Sequence, residues 1–195
     1  MRYNNSRSLL AALILFFSIS ITAISNAAEN YKIDPDHSTA IFKAKHLGVS
    51  NVYGRFNDVS GMFTIDEKDI SKSAVSVSIK VEDIDTHNEK RDAHLKSPDF
   101  FNSKVFNLIT FEGRQFKESG TDKIQVTGDL TIHGVKKSVI VEMVHIGAGK
   151  DPWKGYRSGY EGTFKIKRSD FGMNFMPEGI GDEITIIIGI EGIRQ

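Results

Sequence analysis

The chain of 195 residues contains no cysteine, four prolines and a single tryptophan. Without cysteine there are no disulfides, no thiol nucleophile and no cysteine-based zinc site, so a hydrophobic core alone must hold the fold. Net charge is also missing: 25 basic residues face 25 acidic ones. Nucleic-acid binding calls for a strongly basic surface, and this chain does not have one. Beyond the N-terminal region, no apolar run is long and isolated enough to span a bilayer.

What is present begins with a targeting pattern. Arg2 and Arg7 give a positive start, an apolar run follows from Leu9 to Ile24, and Ser25-Asn26-Ala27 places small residues at a cleavage site. Residues 1–27 therefore read as a secretory signal peptide, with cleavage after Ala28 or retention as a membrane anchor as alternatives. The remaining 28–195 read as one domain. Removing Arg2 and Arg7 leaves 23 basic residues against 25 acidic, a net charge of −2.

The dominant signal in 28–195 is alternation with period two. Val75, Val77, Ile79 and Val81 share one face, with Ser76, Ser78, Lys80 and Glu82 on the other. The same pattern predicts strands over 124–132, 139–143, 160–167 and 183–191. Shorter candidates lie at 30–34, 39–46, 52–57, 61–66 and 105–112. Turn signals at Gly120-Thr121-Asp122 and His133-Gly134 sit at hairpin spacing. Many short antiparallel strands imply a sandwich or a barrel, and about eight strands closed into a barrel can hold one small ligand.

One segment breaks the alternation. Thr86-His87-Asn88-Glu89 resembles a capping box, with Thr86 as N-cap, and predicts a helix over 88–96 that stops before Pro98. On that helix His87, Arg91 and His94 would share a face bordered by Leu95, with Asn88 and Asp92 beside it. Two readings fit: an ordinary solvated helix surface, or a polar mouth in which Arg91 offers a fork of donors to a ligand head group.

Catalytic signatures are sparse. His37, His46, His87, His94, His133 and His145 show no metal-ligand spacing, and neither a nucleophile elbow nor a glycine-rich phosphate loop occurs. Phenylalanine is plentiful: thirteen residues, eleven once Phe16 and Phe17 are set aside. Phe42, Phe56, Phe63, Phe106, Phe111, Phe164 and Phe175 fall on or beside predicted strands. They suit a packed core or the wall of an apolar cavity.

Read in order, several motifs together resemble the YceI family of periplasmic polyisoprenoid-binding proteins. They include Tyr31-Lys32-Ile33-Asp34, His46-Leu47-Gly48, Tyr53-Gly54-Arg55-Phe56, Arg91-Asp92-Ala93-His94-Leu95 and Ser97-Pro98-Asp99-Phe100-Phe101. Leu130-Thr131-Ile132-His133-Gly134-Val135 and Ser169-Asp170-Phe171-Gly172 follow. The resemblance implies an all-β, eight-stranded antiparallel lipocalin-like barrel with a short helical insertion. It implies a tunnel for an isoprenoid or other long lipid, a Gram-negative periplasmic location, no catalysis and no cofactor other than that lipid. The expected ligand contacts are the seven strand phenylalanines, His46, and the motif residues His87, Arg91, Asp92 and His94. Partners would be the lipid and, transiently, a membrane donor or acceptor. An enzyme acting on such a lipid and a ligand-free protective module are the competing readings. The first would need a polar triad converging on the tunnel, the second a solid core.

Overall fold

The computed structural model describes residues 28–195, so the expected targeting segment lies outside the described residues. Eleven strands and one short helix follow in chain order. They are β1 (Glu29–Ile33), β2 (Thr39–His46), β3 (Ser50–Phe56), β4 (Val59–Ile65), β5 (Ala74–Lys80) and β6 (Ile84–Asp85). Then come α1 (Glu89–Leu95), β7 (Leu108–Gly120), β8 (Lys123–Ile132), β9 (Val135–Lys150), β10 (Tyr156–Lys167) and β11 (Ile180–Arg194).

All pairings are antiparallel. Strands β1, β4, β5, β7, β8, β9, β10 and β11 pair in that order, and β11 pairs back to β1, which closes an eight-stranded barrel. Strands β2, β3 and β6 form an annex on the same sheet. Closure depends on β11 having two partners along one edge, opposite β10. Ile184 to Gly189 pair with β2, whereas Gly192 to Arg194 pair with β1. At the handover the Asp34 N–H donates to the Glu191 carbonyl at 2.8 Å, and the Ser38 hydroxyl accepts from the Glu191 N–H at 3.0 Å. Both backbone groups of Glu191 are thus paired where the ladder changes partner.

Alternation decides which side chains enter the barrel. Val77 and Ile79 of β5, Val126, Leu130 and Ile132 of β8, and Val141 of β9 are buried, while their neighbours of opposite parity point outward. The expected hairpins form: His133 (φ 51°) and Gly134 (φ 74°) make the two-residue left-handed turn between Ile132 and Val135. Several strands run further than the alternation alone indicated. The strand expected at 105–112 begins at Leu108 and continues to Gly120, because Val105 and Phe106 are taken up in turns whose N–H groups donate to Asn102. β9 likewise extends to Lys150 and β10 starts at Tyr156.

The helix differs from the expectation in its cap. Asn88, not Thr86, is the N-cap, and its side chain accepts from the Arg91 N–H at 3.0 Å. The Thr86 hydroxyl instead bonds Asp92 Oδ1 at 2.5 Å. His87 (φ 60°) therefore precedes the helix and does not share a helical face with Arg91 and His94.

Helix α1 lies at the end of the barrel where β5 ends and β7 begins, the helix end. That end is plugged. Phe101 meets Phe56 edge-on at 5.7 Å, and Phe171 is almost wholly buried in the 168–171 turn. Arg168, also buried, holds the plug by donating to the carbonyls of Met173 (2.7 Å), Ile180 (2.9 Å) and Gly181 (3.2 Å). The opposite, far end carries the β4–β5 connection, the β7–β8 turn and the β9–β10 hairpin.

Candidate functional site

The barrel interior is not filled. A cavity of about 140 Å³ lies among Phe42, Phe56, Val77, Phe111, Phe164 and Ile188, and its wall exposes no polar surface. Glycines on neighbouring strands keep it open. A Cβ on Gly54 would stand 2.2 Å from the Phe42 ring, and one on Gly128 would stand 2.5 Å from the Phe111 ring. With only hydrogen at those positions, each ring lies against the wall over its neighbour's backbone and does not project into the lumen.

A second apolar space of about 60 Å³ adjoins the first and shares Val75, Val126, Met143 and Ile190 with it. Phe63 lines this space, stacked on Tyr31 at 4.8 Å and edge-on to Tyr160 at 5.6 Å. It borders in turn a wider cavity of about 340 Å³ at the far end, with Ile65, Ile124 and Tyr160 common to both. On β8 the line runs from Ile132 to Ile124, eight residue steps of about 3.3 Å, or about 20 Å along a tilted-strand barrel axis.

At the far end the inward parity turns polar. Along β9, Val139, Val141 and Met143 give way to His145; along β10, Phe164, Gly162 and Tyr160 give way to Ser158. His145 Nε2 lies 3.2 Å from Ser158 Oγ, and the imidazole packs against the Tyr160 ring at 4.8 Å. Burial lifts the Tyr160 phenol above its ordinary range, a hydrogen bond from Ser158 opposes this, and the Glu67 and Glu29 carboxylates add to the rise. The phenol is thus a neutral donor. Glu29 accepts from the Tyr31 hydroxyl, which holds its carboxyl below the usual range.

The expected contacts divide into three groups. Phe42, Phe56, Phe111 and Phe164 converge on the main cavity, and Phe63 on the smaller one. Phe106 lies outside both, edge-on to His133 at 4.8 Å in the turn before β7. His46 is exposed at the end of β2, paired with Ser50. The motif residues lie outside the cavities. The Arg91 guanidinium donates to Thr86 Oγ1 and Thr86 O, both at 2.7 Å, and Asp92 takes the Thr86 N–H at 2.9 Å. His94 bonds Asp99 at 2.9 Å and packs with Phe100 and Phe175 on the outside of the plug. His87 is exposed, its N–H donating to Asp85 at 2.7 Å. Sequence reasoning missed His145, Ser158 and Tyr160. The signal was a polar residue at inward parity just past the apolar part of β9 and β10.

Among the described residues, Asp34, His37 and Glu191 bring donor atoms within 4.8 Å of one another, a spacing suited to a metal ion. The cation there is Arg157. Its Nη1 lies 2.6 Å from Asp34 and bonds Glu191, while Nε lies 3.0 Å from Asp151. Three carboxylates hold the guanidinium firmly protonated.

Comparison with known proteins agrees with this architecture. Residues 31–192 match the YceI-like domain family. A UPF0312 protein of Pseudomonas aeruginosa is 43% identical over 188 residues, covering 95% of this chain and 97% of its own. Protein YceI of Escherichia coli O157:H7 is 40% identical over 184 residues, covering 93% and 96%. Among solved structures, the Campylobacter jejuni YceI protein superposes with a TM-score of 0.69 at 32% identity, covering 77% of this chain and 90% of its own. BcnA of Burkholderia cenocepacia gives 0.75 at 22% identity, covering 82% and 98%. A polyisoprenoid-binding domain from Saccharophagus degradans gives 0.67 at 13%, covering 85% and 98%, and shares the fold. With its closed barrel and a match that runs nearly from β1 through β11, this chain belongs to the YceI-like family.

Proposed function

We propose that this protein binds a long apolar lipid, an isoprenoid, inside the barrel and carries it through the periplasm without altering it. The observation that carries this reading is the main cavity, whose wall is aliphatic and aromatic but for Thr110. Water gains no hydrogen bonds there, whereas an alkyl or prenyl chain gains about 0.8 kcal/mol for each methylene it buries. The fold shared with a polyisoprenoid-binding domain supports the choice of chain. The tail lies against Phe42, Phe56, Phe111 and Phe164, and lost chain freedom offsets part of the gain, so affinity tolerates a range of lengths. Carriage requires no reacting group.

Native mass spectrometry of protein purified without detergent, followed by lipid extraction, tests the reading. The expected result is a stoichiometric long-chain lipid. Protein that carries none and takes up no added prenol overturns it. Export is tested separately: the mature N-terminus should fall near Ala28 in an osmotic-shock fraction, and full-length protein in the membrane pellet overturns that part.

A further inference from the structure

We infer that the far-end cavity is the head-group site, and that it selects a neutral, oxygen-bearing head (an alcohol, a carbonyl or an amide) and rejects phosphate. This inference rests on lipid binding in the barrel and specifies what the lipid must carry.

The row of cavities has two ends of different character. The helix end is closed by Phe56, Phe101 and Phe171, and the Arg91 guanidinium there is bonded to Thr86. The far end holds a space of about 340 Å³ that borders the smaller apolar cavity, and Tyr160 stands at the neck, lining both the polar space and the apolar one beyond it. A tail threaded toward Phe42 and Phe56 leaves its polar end beside Tyr160, Ser158 and His145. Between them these offer hydroxyl donors and acceptors and an imidazole nitrogen, the complement of a neutral oxygen.

Charge decides against an anion. Four carboxylates line the space, from Glu29, Glu67, Glu118 and Asp122, against the single ammonium of Lys123. Lys123 is engaged with Glu142 at 2.8 Å. Arg194 bonds Glu29 and stacks on Tyr156 at 4.3 Å, so it balances a carboxylate already counted. A phosphate ester entering this ring would lose hydration and meet like charge, with no guanidinium fork to receive it.

The test measures binding of three ligands of equal chain length: a prenol, its phosphate monoester and the bare hydrocarbon. Wild type at low salt should bind the prenol at least about tenfold more tightly than the phosphate, and added salt should narrow the gap. Tyr160→Phe keeps the ring on Phe63 and His145 but removes the hydroxyl. It should weaken the prenol about fivefold and leave the hydrocarbon unchanged. Glu67→Lys/Glu118→Lys changes two exposed side chains and should raise phosphate affinity selectively. Equal wild-type affinity for prenol and phosphate overturns the inference. So does an equal loss of prenol and hydrocarbon in Tyr160→Phe, or a selective loss of phosphate binding in Arg91→Ala, which would place the head at the helix end. Failure of wild type to bind any of the three overturns the lipid reading itself, and the inference with it.

Discussion

Val126 stands where the two apolar cavities meet and is almost wholly buried, so Val126→Phe should do two things at once. It should block the tunnel, and it should stabilise the empty protein. An unfilled apolar space of about 140 Å³ forgoes packing worth about 3 kcal/mol, at about 24 cal/mol per Å³. A phenyl ring in place of an isopropyl group recovers part of that, about 1 kcal/mol, or about 3 °C in Tm for a chain of this size. The ligand response should move the other way. Wild type at a hundredfold excess of prenol over Kd gains about 2.7 kcal/mol, a rise of about 8 °C. The variant should show almost no rise. Thermal unfolding of both proteins, with and without prenol, gives all four numbers. If Val126→Phe instead loses about 1–3 kcal/mol through overpacking and keeps the full ligand shift, the interior is solid at that point and the tunnel argument fails.

Three further outcomes follow from the geometry. Arg168→Met should cost about 3 kcal/mol in urea unfolding, because three carbonyls at the plug lose their donor; a loss below about 1 kcal/mol would show that the plug holds without it. Gly128→Ala should destabilise by about 2 kcal/mol and weaken prenol binding, since its Cβ would stand 2.5 Å from both the Phe111 ring and the Glu112 carbonyl; unchanged binding would mean that the Phe111 ring position is irrelevant to the lumen. At Asp34 and at Asp151, burial raises the carboxyl pKa, but the Arg157 hydrogen bond and further bonds outweigh it, and both end below the ordinary value. Their contribution is full above pH of about 4 and is lost as pH falls through the lowered values. Arg157→Gln should therefore flatten the stability loss on acidification, and an acid limb parallel to wild type would refute this.

The strands that were easiest to read, β5, β8 and β11, are those whose inward residues are mostly branched and apolar. Their ends were harder, because outside the apolar stretch the ladder is held by backbone bonds that are indifferent to side-chain type. β9 beyond Val144 and β10 before Tyr160 are of this kind, and His145 and Ser158 of the far end lie there. The helix was legible but its cap was not. Thr86 and Asn88 are both good caps, and only the bonds of Thr86 to Asp92 and Arg91 decide between them. The phenylalanines could be assigned to strands but not to a hollow, since the same alternation builds a solid core. The difference is made by glycines on the neighbouring strand, such as Gly128 beneath Phe111, whose pairing depends on the register.

The handover of β11 from β2 to β1 also sets the order in which the molecule can be finished. Every hairpin from β7 to β11 joins neighbours in sequence, but the seam joins Tyr31 to Arg194 and Ile33 to Gly192, almost the full length of the described chain. A growing polypeptide makes β1 first and its closing partner last. Without Gly192 to Arg194, Tyr31 to Ile33 would lack their partner across the seam, and Val77, Val126, Leu130 and Val141 would lack the closed wall that covers them. An apolar face left uncovered attracts any apolar molecule nearby, including a second unfinished chain. If the barrel binds a lipid as proposed, one lying along that face when the seam zips would be enclosed without passing the neck, so loading during folding and later exchange need not share a route.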